Sequence, residues 1–244
     1  MPMQIENRAY ARENIMTLKE ELIQELQNVG AALVGVGDMT AVENCSYPVG
    51  IAVAIPVPKN IIIDLQTKPT KEYYDMYYEW NRRLNHIVAI GAEFLRNKGY
   101  KAYAQTTDVV VVSEDRISPI PHKTVATRAG LGWIGKNCLL VTKEYGSAVR
   151  ISSLLTNAPL EPDTPYDKSH CGACHLCVDA CPAQALKNTL WSVGVWRDDI
   201  VDKEECHDKQ LEIMKESTGI EQDLCGKCFA VCAYTQGYLR KFFS

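Results

Sequence analysis

Apolar residues recur at Ile15, Leu18, Leu22, Leu26 and Val29, the three-and-four spacing of one helix face, and Gly30 stops the run. "AALVGVGD" (31–38) and "GIAVAIPVP" (50–58) are short, nearly continuous apolar stretches and predict buried strands. A long amphipathic helix is predicted from about Thr70 to Lys98, with Tyr73, Tyr77, Trp80, Leu84, Ile87 and Phe94 on its inner side and Gly99 closing it. "YKAYAQ" (100–105) alternates, and "VVVVS" (109–113) reads as a buried β-branched strand. A short helix is predicted from His122 to Gly130. "NCLLVT" (137–142) and "SAVRISSLLT" (147–156) read as a strand pair joined through "KEYGS". The pattern predicts an α+β fold with a mixed sheet. "NAPLEPDTPYDKSH" (157–170) holds three prolines and reads as a linker. It divides the chain into domains 1–160 and 161–244.

Composition changes this picture at one end only. The 244 residues are 46% hydrophobic and carry a net charge of −4, which offers no footprint for nucleic acid as the main partner. The tail "YLRKFFS" is the one short basic candidate. The apolar stretches are too short to span a bilayer, and the N-terminus lacks the pattern of a signal peptide, so a cytoplasmic protein without a membrane partner is expected. Eight of the ten cysteines follow residue 170. A disulfide scaffold suits a small exported domain, so metal is the reading that fits.

"CGACHLCVDACPAQAL" (171–186) has the spacing C-x2-C-x2-C-x3-C-P, the run that bacterial ferredoxins use for [4Fe–4S] clusters, in which the fourth cysteine serves the other cluster. Cys171, Cys174 and Cys177 are close enough to converge on one cubane. Cys181 is expected at the start of a helix opened by Pro182, pointing elsewhere. Cys206, Cys225, Cys228 and Cys232 complete the set. Exchange of the fourth ligands gives cluster one as Cys171, Cys174, Cys177 and Cys232, and cluster two as Cys181, Cys206, Cys225 and Cys228. Paired zinc sites are the competing reading, though zinc usually draws on separate C-x2-C knuckles. The cluster region has little apolar content and is expected to need its metal to fold. Cys45 and Cys138 fall outside the pattern and read as small core residues.

Upstream, "RAGLGWIGKNCLLV" (128–141) places Gly130, Gly132 and Gly135 where the backbone can turn sharply or approach a ligand. Trp133 could stack on a flat ligand, and Lys136 and Asn137 could bond amides or phosphate. A glycine-rich turn between helix and strand explains the same residues equally well. It is no dinucleotide fingerprint, because the helix precedes the glycines.

"RAGLGWIGKN", then "EYGSAVRISSLLTNAPLEPD", then "CGACHLCVDACP" resemble the epoxyqueuosine reductase family, relatives of the reductive dehalogenases, in order and spacing from about Tyr73 to Cys232. The resemblance implies a nitroreductase-like cobalamin-binding domain followed by a ferredoxin-like domain whose two [4Fe–4S] clusters reduce the cobalt. It also implies corrinoid contacts at Gly130, Leu131, Gly132, Trp133, Gly135, Lys136 and Asn137. Family reductases carry a proton-donating aspartate ahead of the glycine loop. Within "DRISPIPHKTVATRAG", Arg116 falls at that position, with Asp115 beside it. The family also continues into helical repeats that hold tRNA, whereas this chain ends soon after Cys232. Both departures point away from tRNA and toward a small-molecule substrate or a corrinoid protein. Proton-donor candidates are Asp115, Glu114, His122 and Tyr103, while Arg116 could bind an anionic substrate. Tyr73, Tyr74, Tyr77 and Tyr78 cluster on one helix, mostly as packing. A cobalamin-dependent reductase fed by a ferredoxin- or flavodoxin-type donor is the first expectation. The alternatives are an electron-transfer or corrinoid-activating protein without substrate chemistry, and a flavin or ferredoxin-like carrier that has lost the corrinoid.

Overall fold

A computed structural model describes residues 16–110 and 118–241. Helix α1 (Leu18–Asn28) buries Leu22 and Leu26 completely. Thr17 caps it. The Thr17 hydroxyl accepts from the Glu20 amide at 3.3 Å, and the Glu20 carboxylate accepts from the Thr17 amide at 2.8 Å. Each satisfies an amide that the helix start leaves free. Ile15 lies outside the described residues.

Strands β1 (Leu33–Asp38), β2 (Val49–Pro56) and β3 (Ala102–Ala104) join a later strand, β6 (Val149–Thr156), in the order β1-β2-β6-β3. Every pairing is antiparallel, so the sheet is not mixed as expected. Strand β2 is covered on both faces, which explains its unbroken apolar run. On one face Ile51, Val53, Ile55 and Leu154 pack against Leu22 and Leu26 of α1 and Leu84, Ile87 and Leu95 of helix α3 (Lys71–Asn97). Helix α2 (Lys59–Asp64) precedes α3, whose start is capped by the Thr70 hydroxyl as the spacing predicts. On the other face Ala52 and Leu155 meet Val125, Ala126 and Ala129 of the α4 segment (His122–Arg128) and its continuation.

The predicted pairing of 137–142 with 147–156 does not form. Strand β5 (Leu140–Val141) instead folds back on β4 (Trp133–Ile134), pairing Trp133 with Val141, and β6 inserts between β2 and β3. The long apolar run of β6 finds two partners in the main sheet, and a two-residue β5 cannot compete for it. Val109 also departs from expectation: it lies in a turn and is 42% exposed, while residues 111–113 lie outside the described residues.

After the linker come α5 (Leu176–Asp179), a 3₁₀ turn (Arg197–Asp199), α6 (Lys203–Thr218), α7 (Lys227–Ala230) and α8 (Ala233–Arg240). No helix opens at Pro182, which lies in a turn. The short helix precedes Cys181 and contains Cys177. Hydrophobic clusters cross residue 160. Ala185, Leu186, Ile200 and Val201 join the α4 face of the sheet. Met214, Leu224, Phe229 and Leu239 join Ile61, Ile62, Leu65 and Tyr73. The linker is strapped down as well: Asp163 exchanges backbone and side-chain bonds with Val36 and pairs with Lys19 at 2.6 Å.

Candidate functional site

The clustered thiols influence one another electrostatically. Desolvation pushes the Cys177 thiol up to about 12, and its neighbours Cys232, Cys171 and Cys174 add to the shift. Desolvation likewise raises Cys206 to about 11, with Cys181 and Cys225 as its closest electrostatic partners. Cys228 is held well above the usual thiol range by desolvation, with Cys225 and Cys206 adding most among its neighbours. Cys177 also acts on Cys228, so the couplings run between the two expected sets as well as within them. Among the described residues no three His, Cys, Asp or Glu side chains converge on a single ion. Cys177, Cys181, Cys206 and Cys228 pack against the cluster holding Ile134, Cys138 and Leu140, while Leu176, in the first cysteine run, is 49% exposed.

The glycine loop is closed on its own chain. A β-carbon on Gly132 would lie 2.1 Å from the Val141 carbonyl oxygen, and one on Gly130 would lie 2.7 Å from that of Thr164. On Gly135 it would meet the Asn137 side chain at 2.6 Å. Asn137 donates to the Ser147 hydroxyl at 2.9 Å and accepts from the Leu139 amide at 3.2 Å, which fixes the β4–β5 turn. Leu131 is half-buried and packs beside α4. Trp133 is fully buried, stacked on His170 with ring centroids 4.9 Å apart and meeting Tyr234 edge-on at 4.9 Å. These neighbours flank Cys171 and Cys232. The ring surfaces are thus filled by the protein, but the indole Nε1–H is buried without a hydrogen-bond partner. Lys136 is only 5% exposed.

A second polar centre lies on the α4 face of the sheet. The Gln105 Nε2–H donates to the Ile120 carbonyl at 2.8 Å, which turns its Oε1 toward the Ser153 hydroxyl, a donor at 2.9 Å. Ser153 Oγ, having given its only proton, accepts from His122 Nδ1 at 2.8 Å. The imidazole therefore carries its proton on Nδ1 and leaves Nε2 as an acceptor. Burial, and secondarily Arg150, lowers His122 to about 4, so the ring is neutral at pH 7. Beside this network a cavity of about 270 Å³ is lined by Asn44, Cys45, Ser46, Tyr47, Tyr103, Ile120 and Leu155.

Of the catalytic candidates, the structure brings His122 and Tyr103 to this face, whereas Glu114, Asp115 and Arg116 lie outside the described residues. The tyrosines of α3 are mainly packing: Tyr73 meets Phe229 edge-on, and Tyr77 lies beneath the Arg150 guanidinium at 4.1 Å. The 44–47 wall, Gln105 and Ser153 were not anticipated. Gln105 ends an alternating stretch and Ser153 sits inside an apolar strand, so a polar residue at a covered position was the available signal.

Residues 170–235 match the model of a 4Fe–4S double cluster binding domain. The chain is 36% identical over 118 residues to an epoxyqueuosine reductase of Bacillus subtilis, covering 48% of this chain and 27% of that protein. It is 56% identical over 62 residues to that of Listeria monocytogenes, covering 25% and 16%. The chain thus spans less than half the length of these curated relatives. The resemblance to the epoxyqueuosine reductases holds. Among solved structures, an epoxyqueuosine reductase bound to an epoxyqueuosine-modified tRNA-Tyr stem loop superposes with a TM-score of 0.59 at 22% identity, covering 91% of this chain and 66% of that one. A reductive dehalogenase in complex with 3-bromo-4-hydroxybenzoic acid gives 0.65 at 18% identity, covering 88% and 31%. These likenesses bear out the expected fold, a nitroreductase-like α+β body with a ferredoxin-like double-cluster region. No helix among the described residues is long and apolar enough to cross a membrane.

Proposed function

We propose that this chain is a cobalamin-dependent iron–sulfur reductase, in which two [4Fe–4S] clusters relay electrons from an external low-potential carrier to a corrinoid. The observation that carries the reading is the match of residues 170–235 to a 4Fe–4S double cluster binding domain in a chain that resembles the epoxyqueuosine reductases. Cys171, Cys174, Cys177 and Cys232 would hold cluster one, and Cys181, Cys206, Cys225 and Cys228 cluster two.

The glycine loop offers a corrinoid two donors, the unpartnered indole N–H of Trp133 and the side chain of Lys136, a residue only 5% exposed. Both fit a ligand edge rich in amide oxygens and bearing a phosphate. Gly130, Gly132, Gly135 and Asn137 serve that contact indirectly, by shaping the turn. When bound, the corrinoid supplies a metal centre at which a substrate is reduced. The protein's own residues do the rest. His122, held neutral with Nε2 bare, accepts a hydrogen bond from a substrate N–H or O–H and is no proton donor near pH 7. Tyr103, on the cavity wall, and Asp115 remain as donors. Arg116, where the relatives' pattern calls for an acid, binds an anionic group. The cavity suits a small substrate better than a tRNA loop, and the net charge of −4 gives little attraction for a phosphate backbone.

An anaerobic titration of the iron-loaded protein with cobalamin tests the cofactor. Binding should appear as the base-off absorbance shift, and Trp133→Phe, which keeps the ring and removes the N–H, should weaken it. Absence of binding by the iron-loaded protein would overturn the reading. A parallel assay with epoxyqueuosine-containing tRNA should give little turnover beside a family reductase. Comparable turnover would remove the small-substrate part and leave the cofactors in place.

A further inference from the structure

One cation sits where the strand pattern calls for an apolar side chain. Arg150, Ser152 and Leu154 share the α3 side of β6, and both Ser152 and Leu154 are buried there. The residue opposite Arg150 on β2 is Ile55, a member of the same core. The guanidinium is held from two directions by neutral groups. It lies 4.1 Å from the centre of the Tyr77 ring, and its Nη2–H donates to Asn81 Oδ1 at 2.6 Å. A guanidinium has five N–H donors, yet the Nε–H is buried without a hydrogen-bond partner. Among the described residues no carboxylate pairs with Arg150. The nearby carboxylates of α3 are engaged elsewhere, Asp75 with Lys71 and Glu79 with Arg82 and Arg83. Asp108, beside Asn85 one turn further along the helix, accepts from the Thr106 and Thr107 hydroxyls at 3.3 Å each.

We propose that Arg150 is an anion-binding site, built to take the carboxylate or phosphate group of a small ligand. A partly desolvated cation without a counter-charge is costly, and here the protein supplies only a ring face and an amide oxygen. The ligand supplies the missing negative charge. Tyr77 and Asn81 fix the plane of the guanidinium, so its fork is set in advance for a planar carboxylate or a phosphate. Arg150, Tyr77 and Asn81 are each only partly buried, which leaves a small ligand a way in. The His122 centre lies within electrostatic reach of the same charge, because Arg150 is the second cause, after burial, of the lowered His122 value. The inference goes beyond the reductase reading and stands without the clusters or the corrinoid.

The test is anaerobic isothermal titration calorimetry of the full chain with inorganic phosphate and, separately, with benzoate, at fixed ionic strength. The wild type should bind at least one of the two saturably, and which one it binds assigns the ligand's anionic group. Arg150→Met should weaken that binding by about 10- to 100-fold, and Arg150→Lys, which keeps the charge without the fork, should weaken it less. Asn81→Asp gives the guanidinium a carboxylate from within the chain. That variant should lose anion binding and unfold at a higher urea concentration than the ligand-free wild type, a result that also decides the matter if Arg150→Met fails to fold. Absence of saturable binding of both probes by the wild type would overturn the proposal. So would wild-type affinity in either Arg150→Met or Asn81→Asp. Because no activity is read, these outcomes are separate from those that test the cofactors.

Discussion

At the scale of single residues, Gly132 shows how one position can carry two readings. A glycine in this loop suggested close approach by a ligand, yet the atom it makes room for is the Val141 carbonyl oxygen. Gly132→Ala should therefore lower the denaturation midpoint of the ligand-free protein, by about 1–3 kcal/mol in stability. A purely ligand-facing glycine would leave that midpoint unchanged. His122 gives a pH signature. Its folded value of about 4 lies below the ordinary 6.5, so the unfolded chain takes up the proton first as pH falls. The stability that comes from keeping the ring neutral is complete above pH 6.5 and is lost progressively as pH drops through 4. His122→Gln, which keeps a donor toward Ser153, should flatten urea-midpoint curves across that window. Equal slopes for both proteins would show that the ring does not titrate as its burial requires. The cysteines behave in the opposite sense. With thiols raised to about 11 and 12, the cluster-free fold favours neutral sulfur. Its stability should be intact below pH ~8.5 and decline as pH rises toward those values. Cluster assembly needs thiolates, so reconstitution should release protons, measurable with a pH-indicating dye.

At the scale of elements, legibility followed the strength of local periodicity. Helix α3 was readable because its apolar stripe runs for seven turns between Thr70 and Gly99, and β2 because its apolar run is unbroken. Helix α6 escaped notice because it buries little beyond Met214, although Asp202 at its start and Gly219 at φ +78° after its end mark its limits. The β4–β5 hairpin was misassigned for another reason. Strand pairing is decided by which long partner claims β6, a competition between segments a hundred residues apart that no local pattern reports. The linker reads as irregular and is so, but its attachment depends on a tertiary fact, the exposed edge of β1 at Val36. Asp163→Ala removes the bonds to the Val36 amide and to Lys19. It should destabilise the protein by about 1–2 kcal/mol and speed proteolysis between residues 157 and 170. Wild-type resistance in that variant would mean the prolines alone hold the strap.

At the scale of the whole molecule, the double-cluster region was legible because metal spacing is written in the chain itself. The site beside His122 was not, because Gln105, Ile120, His122 and Ser153 come from separate segments and meet only once the sheet forms. What unites the two halves is the shared hydrophobic cluster beneath the sheet, which sets Cys177, Cys181, Cys206 and Cys228 against the core of the glycine loop. The central claim is that electrons pass through those thiols to a corrinoid. The measurement that tests it most directly is reduction of bound cobalamin by a limiting external reductant, followed at the cobalt signal by electron paramagnetic resonance, in wild type and in Cys206→Ala. The account predicts cobalt reduction in the wild type and its loss in the variant, with cobalamin still bound and cluster one still reducible. Reduction at equal rates in both proteins would contradict it.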